Sequence, residues 1–340
     1  MNIHPAKIKT ISYVAAIALG VLVIIGLAFY LPRTNSDAQK ASGKGDKKKS
    51  KKQNDAAKSG HVIEGGQFEA SGVVQVPGTD GFLFVDDNNP GEVLWMRLDE
   101  SGEQVGAAKS IPLGTNVLDP EGITSDGSSF YIIGSQSKAK GGNENALVRF
   151  GFDAATQQVT KAEAIGNLRD FLIEKVPELK DKGKGEGGGL NVEGLAWDPA
   201  RQRLILGLRS PLTADLALAV ALKLNDPQGA FSIANLALAE PNAIRLPVGG
   251  LGIRGIEYDD HLKSFLIIAG AAEQMKKTDF TVWEWNGESD NPVVRERTAI
   301  GRDLQPEGIT PAKVAGSDFI FVICDTGRYV KLDYGAGGNK

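Results

Sequence analysis

Pro120-Glu121-Gly122-Ile123-Thr124 recurs along this chain as Val192-Glu193-Gly194-Leu195-Ala196, Ile253-Arg254-Gly255-Ile256-Glu257 and Pro306-Glu307-Gly308-Ile309-Thr310. A weaker copy is Ala70-Ser71-Gly72-Val73-Val74. The glycines lie 50, 72, 61 and 53 residues apart. Self-similarity at such a period marks an array of one supersecondary unit. Within each unit an apolar run follows the glycine: Phe82–Val85, Phe130–Ile133, Leu204–Leu208, Phe265–Ile268 and Phe319–Ile323. A third run closes on Asp or Asn in most copies: Val93–Leu98, Ala146–Phe152, Leu218–Leu224, Phe280–Trp285 and Tyr329–Leu332. More polar fourth strands fit at 104–112, 158–165, 231–246 and 293–300. Three or four short strands in five copies predict an all-β, five-bladed β-propeller over residues 61–334. Six blades is the alternative, because 72 and 61 residues are long for one blade.

The fifth copy stops at its third strand. Residues 61–68 are placed to supply the missing outer strand and close the ring, which leaves only short, protected edges. Part of the excess in the second copy is helical. Leu168, Phe171, Leu172, Val176 and Leu179 share one helical face, and Pro177 ends or kinks it. Lys182 to Gly189 reads as a flexible link, and residues 335–340 as a Gly-rich tail.

Composition narrows the chemistry. The chain has 340 residues, 3 His and 1 Cys, too few for a multi-His or multi-thiolate metal site and a poor basis for a Ser-His-Asp triad. Glycine is abundant, 42 residues, which suits many tight turns. Residues 1–60 carry 11 Lys and Arg against 3 Asp, whereas the remainder carries 27 against 39 acidic residues. An acidic body argues against nucleic-acid binding, which needs clustered cations. It suits a metal ion, a cationic ligand or a protein partner.

Residues 1–10 form a short tail. Ile11 to Leu31 is 21 residues without a charge, the length of a bilayer span, with Tyr13 and Tyr30 near its ends. It predicts a single transmembrane helix, an uncleaved signal-anchor. Residues 32–60 read as a Lys-rich tether too polar to fold. The lysines flanking the span favour a cytoplasmic body by the positive-inside rule. A long domain translocates largely regardless of such charge, and the propeller is expected outside the cytoplasm.

In a propeller the innermost strand lines a central channel, and each repeat motif begins that strand. Side chains alternate across a strand. The residue before each Gly (Ser71, Glu121, Glu193, Arg254, Glu307) therefore shares a face with the one two places earlier (Glu69, Asp119, Asn191, Gly252, Gln305). The loops after the second strands, beginning at Asp86-Asp87, Ser135, Arg209, Ala269 and Asp325, open on the same end. The result is an acidic channel mouth with two arginines. Glu121, Glu193, Glu307 and Asp119 are the candidate metal ligands, with Ca²⁺ favoured because all donors are hard oxygens. Arg209, Arg254, Asp87, Ser135 and Asp325 are the candidate ligand contacts. The competing reading makes each Glu a fold staple that accepts neighbouring N–H groups. Asp86-x-Asn88 starts like a calcium loop, but Arg97 stands where the bidentate Glu belongs. Cys324 reads as a buried hydrophobe.

The Pro-Glu-Gly-Ile-Thr motif, Val192-Glu-Gly-Leu-Ala-Trp-Asp-Pro199, Gly249-Gly-Leu-Gly-Ile-Arg-Gly-Ile-Glu257 and Leu204-Ile-Leu-Gly-Leu-Arg-Ser-Pro211 resemble the bacterial family DUF 3616. The likeness covers most of 65–334. The strand starts are also similar to phytase-like esterase and SdiA-regulated propellers. These resemblances imply a propeller, and the phytase-like group implies phosphate-ester hydrolysis. Its metal ligands do not map residue by residue here, since Arg254 and Ser71 stand where a symmetric ring would have Glu. Two functions stay open: a membrane-tethered propeller that binds a small molecule or protein at its acidic mouth, and a divalent-metal-dependent phosphoesterase.

Overall fold

The computed structural model describes residues 60–139, 141–180, 189–272, 275–276, 278–289 and 292–335. The expected span at 11–31, the tether up to residue 59, most of the 182–189 link and residues 336–340 lie outside them. Among the described residues no helix is long and apolar enough to cross a membrane.

The described residues fold as five antiparallel sheets, each a blade. A two-residue strand, β1 (His61–Val62), precedes blade 1, which is β2 (Ala70–Gln75), β3 (Gly81–Asp86), β4 (Glu92–Arg97) and β5 (Lys109–Pro112). Blade 2 is β6 (Pro120–Ser125), β7 (Phe130–Gly134), β8 (Leu147–Asp153) and β9 (Gln158–Ile165). The helix α1 (Leu168–Lys175) follows, as the apolar face predicts, and gives way to a 3-10 turn at Pro177–Leu179. Blade 3 is β10 (Asn191–Asp198), β11 (Arg203–Ser210), β12 (Ala217–Leu224), β13 (Leu236–Leu238) and β14 (Ile244–Leu246). Blade 4 is β15 (Gly252–Asp259), β16 (Ser264–Gly270), β17 (Phe280–Trp285) and β18 (Val294–Ile300). Blade 5 is β19 (Pro306–Val314), β20 (Ser317–Cys324) and β21 (Arg328–Leu332), with β1 as its outer strand. The blade number is five, and the long second spacing contains α1 and the 3-10 turn after it.

Two expectations change in detail. The single outer strand anticipated at 231–246 is two short strands that both pair with β12, because Pro241 between them cannot donate to a ladder. Closure is also shorter than 61–68. His61 pairs with Tyr329 and Val62 with Arg328, and the Ile63 N–H donates to the Gly327 carbonyl at 2.9 Å. The chain then leaves blade 5. The Glu64 carbonyl accepts the Ala108 N–H at 2.7 Å and the Gln104 side-chain amide at 2.9 Å. The segment thus joins the last blade to the first.

The inner strands β2, β6, β10, β15 and β19 pack in a ring. All five carry a register irregularity at the residue before the motif glycine: the pairing passes from Pro120 to Gly122, from Val192 to Gly194, from Ile253 to Gly255 and from Pro306 to Gly308, and from Ala70 to Val73 in blade 1. A bulge leaves one residue unpaired and re-aims its side chain. The glycine has a separate cause. A Cβ at Gly72 would lie 2.6 Å from the Ile123 amide nitrogen, one at Gly122 2.7 Å from Leu195 Cβ, and one at Gly194 2.7 Å from an Ile256 methyl. At Gly255 and Gly308 it would fall on the carbonyls of Glu307 and Ser71. Each motif glycine therefore lets its strand close on the next, around the whole ring.

That close approach fills the axis. The residues after the glycines, Val73, Ile123, Leu195, Ile256 and Ile309, are buried side by side, and the cavity they enclose is only about 10 Å³. A central channel, expected from the fold, is absent at this level. The polar residues before the glycines sit above the plug, at one end.

Candidate functional site

Each inner strand begins at this end, and the loop leaving its neighbour strand is clasped to it. The N–H groups of Asp87, Ser135 and Asp325 donate to the carbonyls of Glu69, Asp119 and Gln305, at 3.2, 2.8 and 2.9 Å. These carbonyls belong to the residues two places before Ser71, Glu121 and Glu307. Asp119 and Gln305 take left-handed backbone conformations, with φ of 56° and 49°. Such conformations are sparsely populated by residues with side chains and concentrate at working sites.

The expected ligands fall into two groups. In the first, Arg254 reaches across from β15. Its Nε lies 2.8 Å from Glu193 Oε2, its Nη1 donates to Glu193 Oε1 at 3.2 Å, and its Nη2 pairs with Glu307 Oε1. Arg209, at the end of β11, donates to Glu193 Oε1 at 2.9 Å, and Asn191 donates to the same oxygen at 3.1 Å. Ser71 Oγ bridges the groups, with Asp87 Oδ1 at 2.5 Å and Glu307 Oε2 at 3.3 Å. Glu193 and Glu307 are nearly fully buried, 3% and 6% exposed, and their charge is met by the guanidinium groups. This is the hydrogen-bonded pairing that buried charges require.

In the second group, carboxylate oxygens of Asp87, Asp119 and Glu121 all lie within 4.8 Å of one another. Asp119 accepts from Ser135 Oγ and from Ser137 Oγ at 3.4 Å, and Lys138 Nζ stands 3.5 Å away in solvent. Glu121 is 8% exposed, and among the described residues no hydrogen bond or salt bridge reaches its carboxylate. Burial, then the charges of Glu193, Asp87 and Asp119, push its carboxyl well above the ordinary range. Burial also pushes Asp87 up, to about 7, reinforced by Asp119, Asp325 and Glu193 and opposed by the Ser71 hydroxyl. Neighbouring carboxylates that disfavour each other's ionisation are relieved by a shared cation. Asp325 accepts from Gln305 Nε2 at 3.0 Å on the same rim.

Ser137 and Lys138 escaped the sequence reading. They continue the loop begun by Ser135, and only the fold reveals that this loop turns back over Asp119. At the opposite end of the axis lies Glu257, buried beside Thr124; its carboxylate accepts the Tyr258 N–H at 2.9 Å. Burial pushes it up to about 8.

Residues 154–310 match the family described as "Protein of unknown function (DUF3616)", so the resemblance read from the motifs holds across the middle of the chain. No curated protein matches. Among solved structures, Myxococcus xanthus glutaminyl cyclase is similar at 16% identity, over 80% of this chain and 94% of that one, with a TM-score of 0.42. The PQQ domain of pyranose dehydrogenase from Coprinopsis cinerea is similar at 10% identity, over 79% and 94%, with a TM-score of 0.43. Likeness at this level does not transfer chemistry.

Proposed function

We propose that this chain is a cation-dependent binding propeller, in which Asp87, Asp119 and Glu121 hold one Ca²⁺ at the end where the inner strands begin. One observation carries the reading: Glu121 is a buried residue whose carboxylate has no hydrogen-bond or salt-bridge partner among described residues and lies within 4.8 Å of two more carboxylates. Oxygens so spaced can all reach an ion at about 2.3–2.6 Å. The donors are carboxylates with Ser71 and Ser135 hydroxyls beside them, a hard-oxygen set that suits Ca²⁺ over softer metals. The ion would offset the repulsion among the three acids and leave positions open for an oxygen of a small-molecule or protein ligand. In this reading Glu193, Glu307 and Arg254 form the rigid floor, and Arg209, Ser135 and Asp325 edge the ligand position. Residues 11–31 tether the body to a membrane, and the body faces outward.

A second reading rests on Arg209. Its side chain is 30% exposed beside the carboxylates and could receive a phosphate oxygen, and a cation held by Asp87, Asp119 and Glu121 would supply Lewis-acid chemistry for phosphoester hydrolysis there. The test is the melting temperature of the full chain with millimolar Ca²⁺. A site present only in the folded state raises it by linkage, and chelator reverses the rise. Glu121→Gln should abolish the rise. Phosphoester turnover that appears only with Ca²⁺ would favour the enzyme, and its absence the binding module.

A further inference from the structure

A second concavity lies between blades 2 and 3, at the end of the blades opposite the acidic cluster. It encloses about 270 Å³, at the small end for a ligand pocket and enough for one or two rings. Tyr131 and Trp197 form one wall, their rings 6.3 Å apart and parallel within 3°. Phe231 stands across from Tyr131 at 6.4 Å, tilted by 53°. The loop that carries Phe231 is fixed, because Asn235 donates to the carbonyls of Asp226 and Ala230 at 2.8 and 3.0 Å. The slot is therefore built before anything enters it.

Its charges are unequal. Both oxygens of Asp126 are engaged: it accepts the Ser128 and Ser129 N–H groups at 2.8 and 2.7 Å and the Tyr131 hydroxyl at 2.7 Å. Arg149 lies 4.5 Å over the Phe231 ring, its Nη2 donates to Glu163 at 2.8 Å, and its guanidinium also faces the Tyr131 hydroxyl. Lys223 lines the mouth, exposed, and makes no hydrogen bond or salt bridge with a described residue. The donors left to a ligand are the Arg149 guanidinium and the Lys223 ammonium, and the walls are flat and aromatic.

We infer that this inter-blade slot binds a planar aromatic carboxylate, its ring against Tyr131, Trp197 and Phe231 and its carboxylate between Arg149 and Lys223. The ring stacks on the aromatic wall, and the two cations supply charge-assisted hydrogen bonds. The site is independent of calcium at the other end.

Calorimetric titration of the full chain with phenylacetate and indole-3-acetate tests this. Both should bind saturably with and without chelator, and phenethylamine and 2-phenylethanol should bind at least about tenfold more weakly. Lys223→Glu should weaken phenylacetate by about tenfold or more with an unchanged melting temperature, since Lys223 is exposed and holds nothing in place. Lys313→Glu, at a distant exposed lysine, should leave the affinity unchanged. Failure of both acids to bind at millimolar concentration would overturn the assignment. So would equal affinity for the neutral or cationic analogue, or an affinity that Lys223→Glu does not alter.

Discussion

Glu193 accepts hydrogen bonds from Arg209, Arg254 and Asn191, whereas Glu121, one motif earlier, accepts none from a described residue. The same position in the repeat is a staple in blade 3 and an unmet charge in blade 2. Substitution by Gln should therefore have opposite signs. Without metal, Glu193→Gln should cost about 1–3 kcal/mol, the loss of charge-assisted bonds at a buried carboxylate. Glu121→Gln should stabilise the metal-free chain by about 1 kcal/mol or more, because a group that resists ionising is replaced by one that cannot ionise. Denaturant unfolding of both variants with chelator present checks this. A pH dependence follows from the same residues. Asp87 is pushed up to about 7 and Glu257 up to about 8, each by burial. The folded chain then keeps protons that the unfolded chain releases above about pH 4–5. Metal-free stability should fall as pH rises from about 4 to 8 and flatten above that. Calcium needs ionised carboxylates, so its stabilisation should grow across the same window. Melting curves across that range, with chelator and with calcium, read both trends.

At the scale of strands, the motif glycines and the bulges are separate devices. The glycine admits the backbone of the next inner strand, and the bulge turns the preceding polar side chain toward the end of the ring. Gly255→Ala would set a methyl on the Glu307 carbonyl and should cost about 3 kcal/mol or more. Gly301→Ala meets nothing within 4 Å and has no left-handed φ, so it should stay within about 0.5 kcal/mol. Urea midpoints of the two variants make the comparison. The strand starts, the apolar second strands and the α1 face were legible because each follows a fixed period that side-chain character reports. The bulges were not. Simple alternation assumes unbroken pairing, and whether a strand slips at one residue depends on the neighbour it meets. That is why Asp119 and Glu121 could be named from their spacing, while their meeting with Asp87, and the capture of Glu193 and Glu307 by Arg254, could not.

The ring as a whole is closed by very little backbone. Two residues of β1 pair with β21, and Glu64 extends the tie to blade 1. A chain beginning at Gly66 should lose cooperative melting at the temperature of one beginning at Gly60, because blade 5 is left with an open edge and blade 1 without its tie. Circular dichroism melts of the two chains compare them, and identical melting would place closure elsewhere. The blade count was legible from motif spacing. The plugged axis was not, since it arises from how closely five glycines let five strands converge. Because the axis is plugged, a ligand at this end cannot pass through and must be held at the rim. The most direct test of that rim is calorimetric titration of the full chain with Ca²⁺. The account predicts one ion bound per chain, lost in Asp119→Asn and in Glu121→Gln and retained in a folded Glu307→Gln. Absence of heat at millimolar Ca²⁺, or undiminished binding by Glu121→Gln, would contradict it.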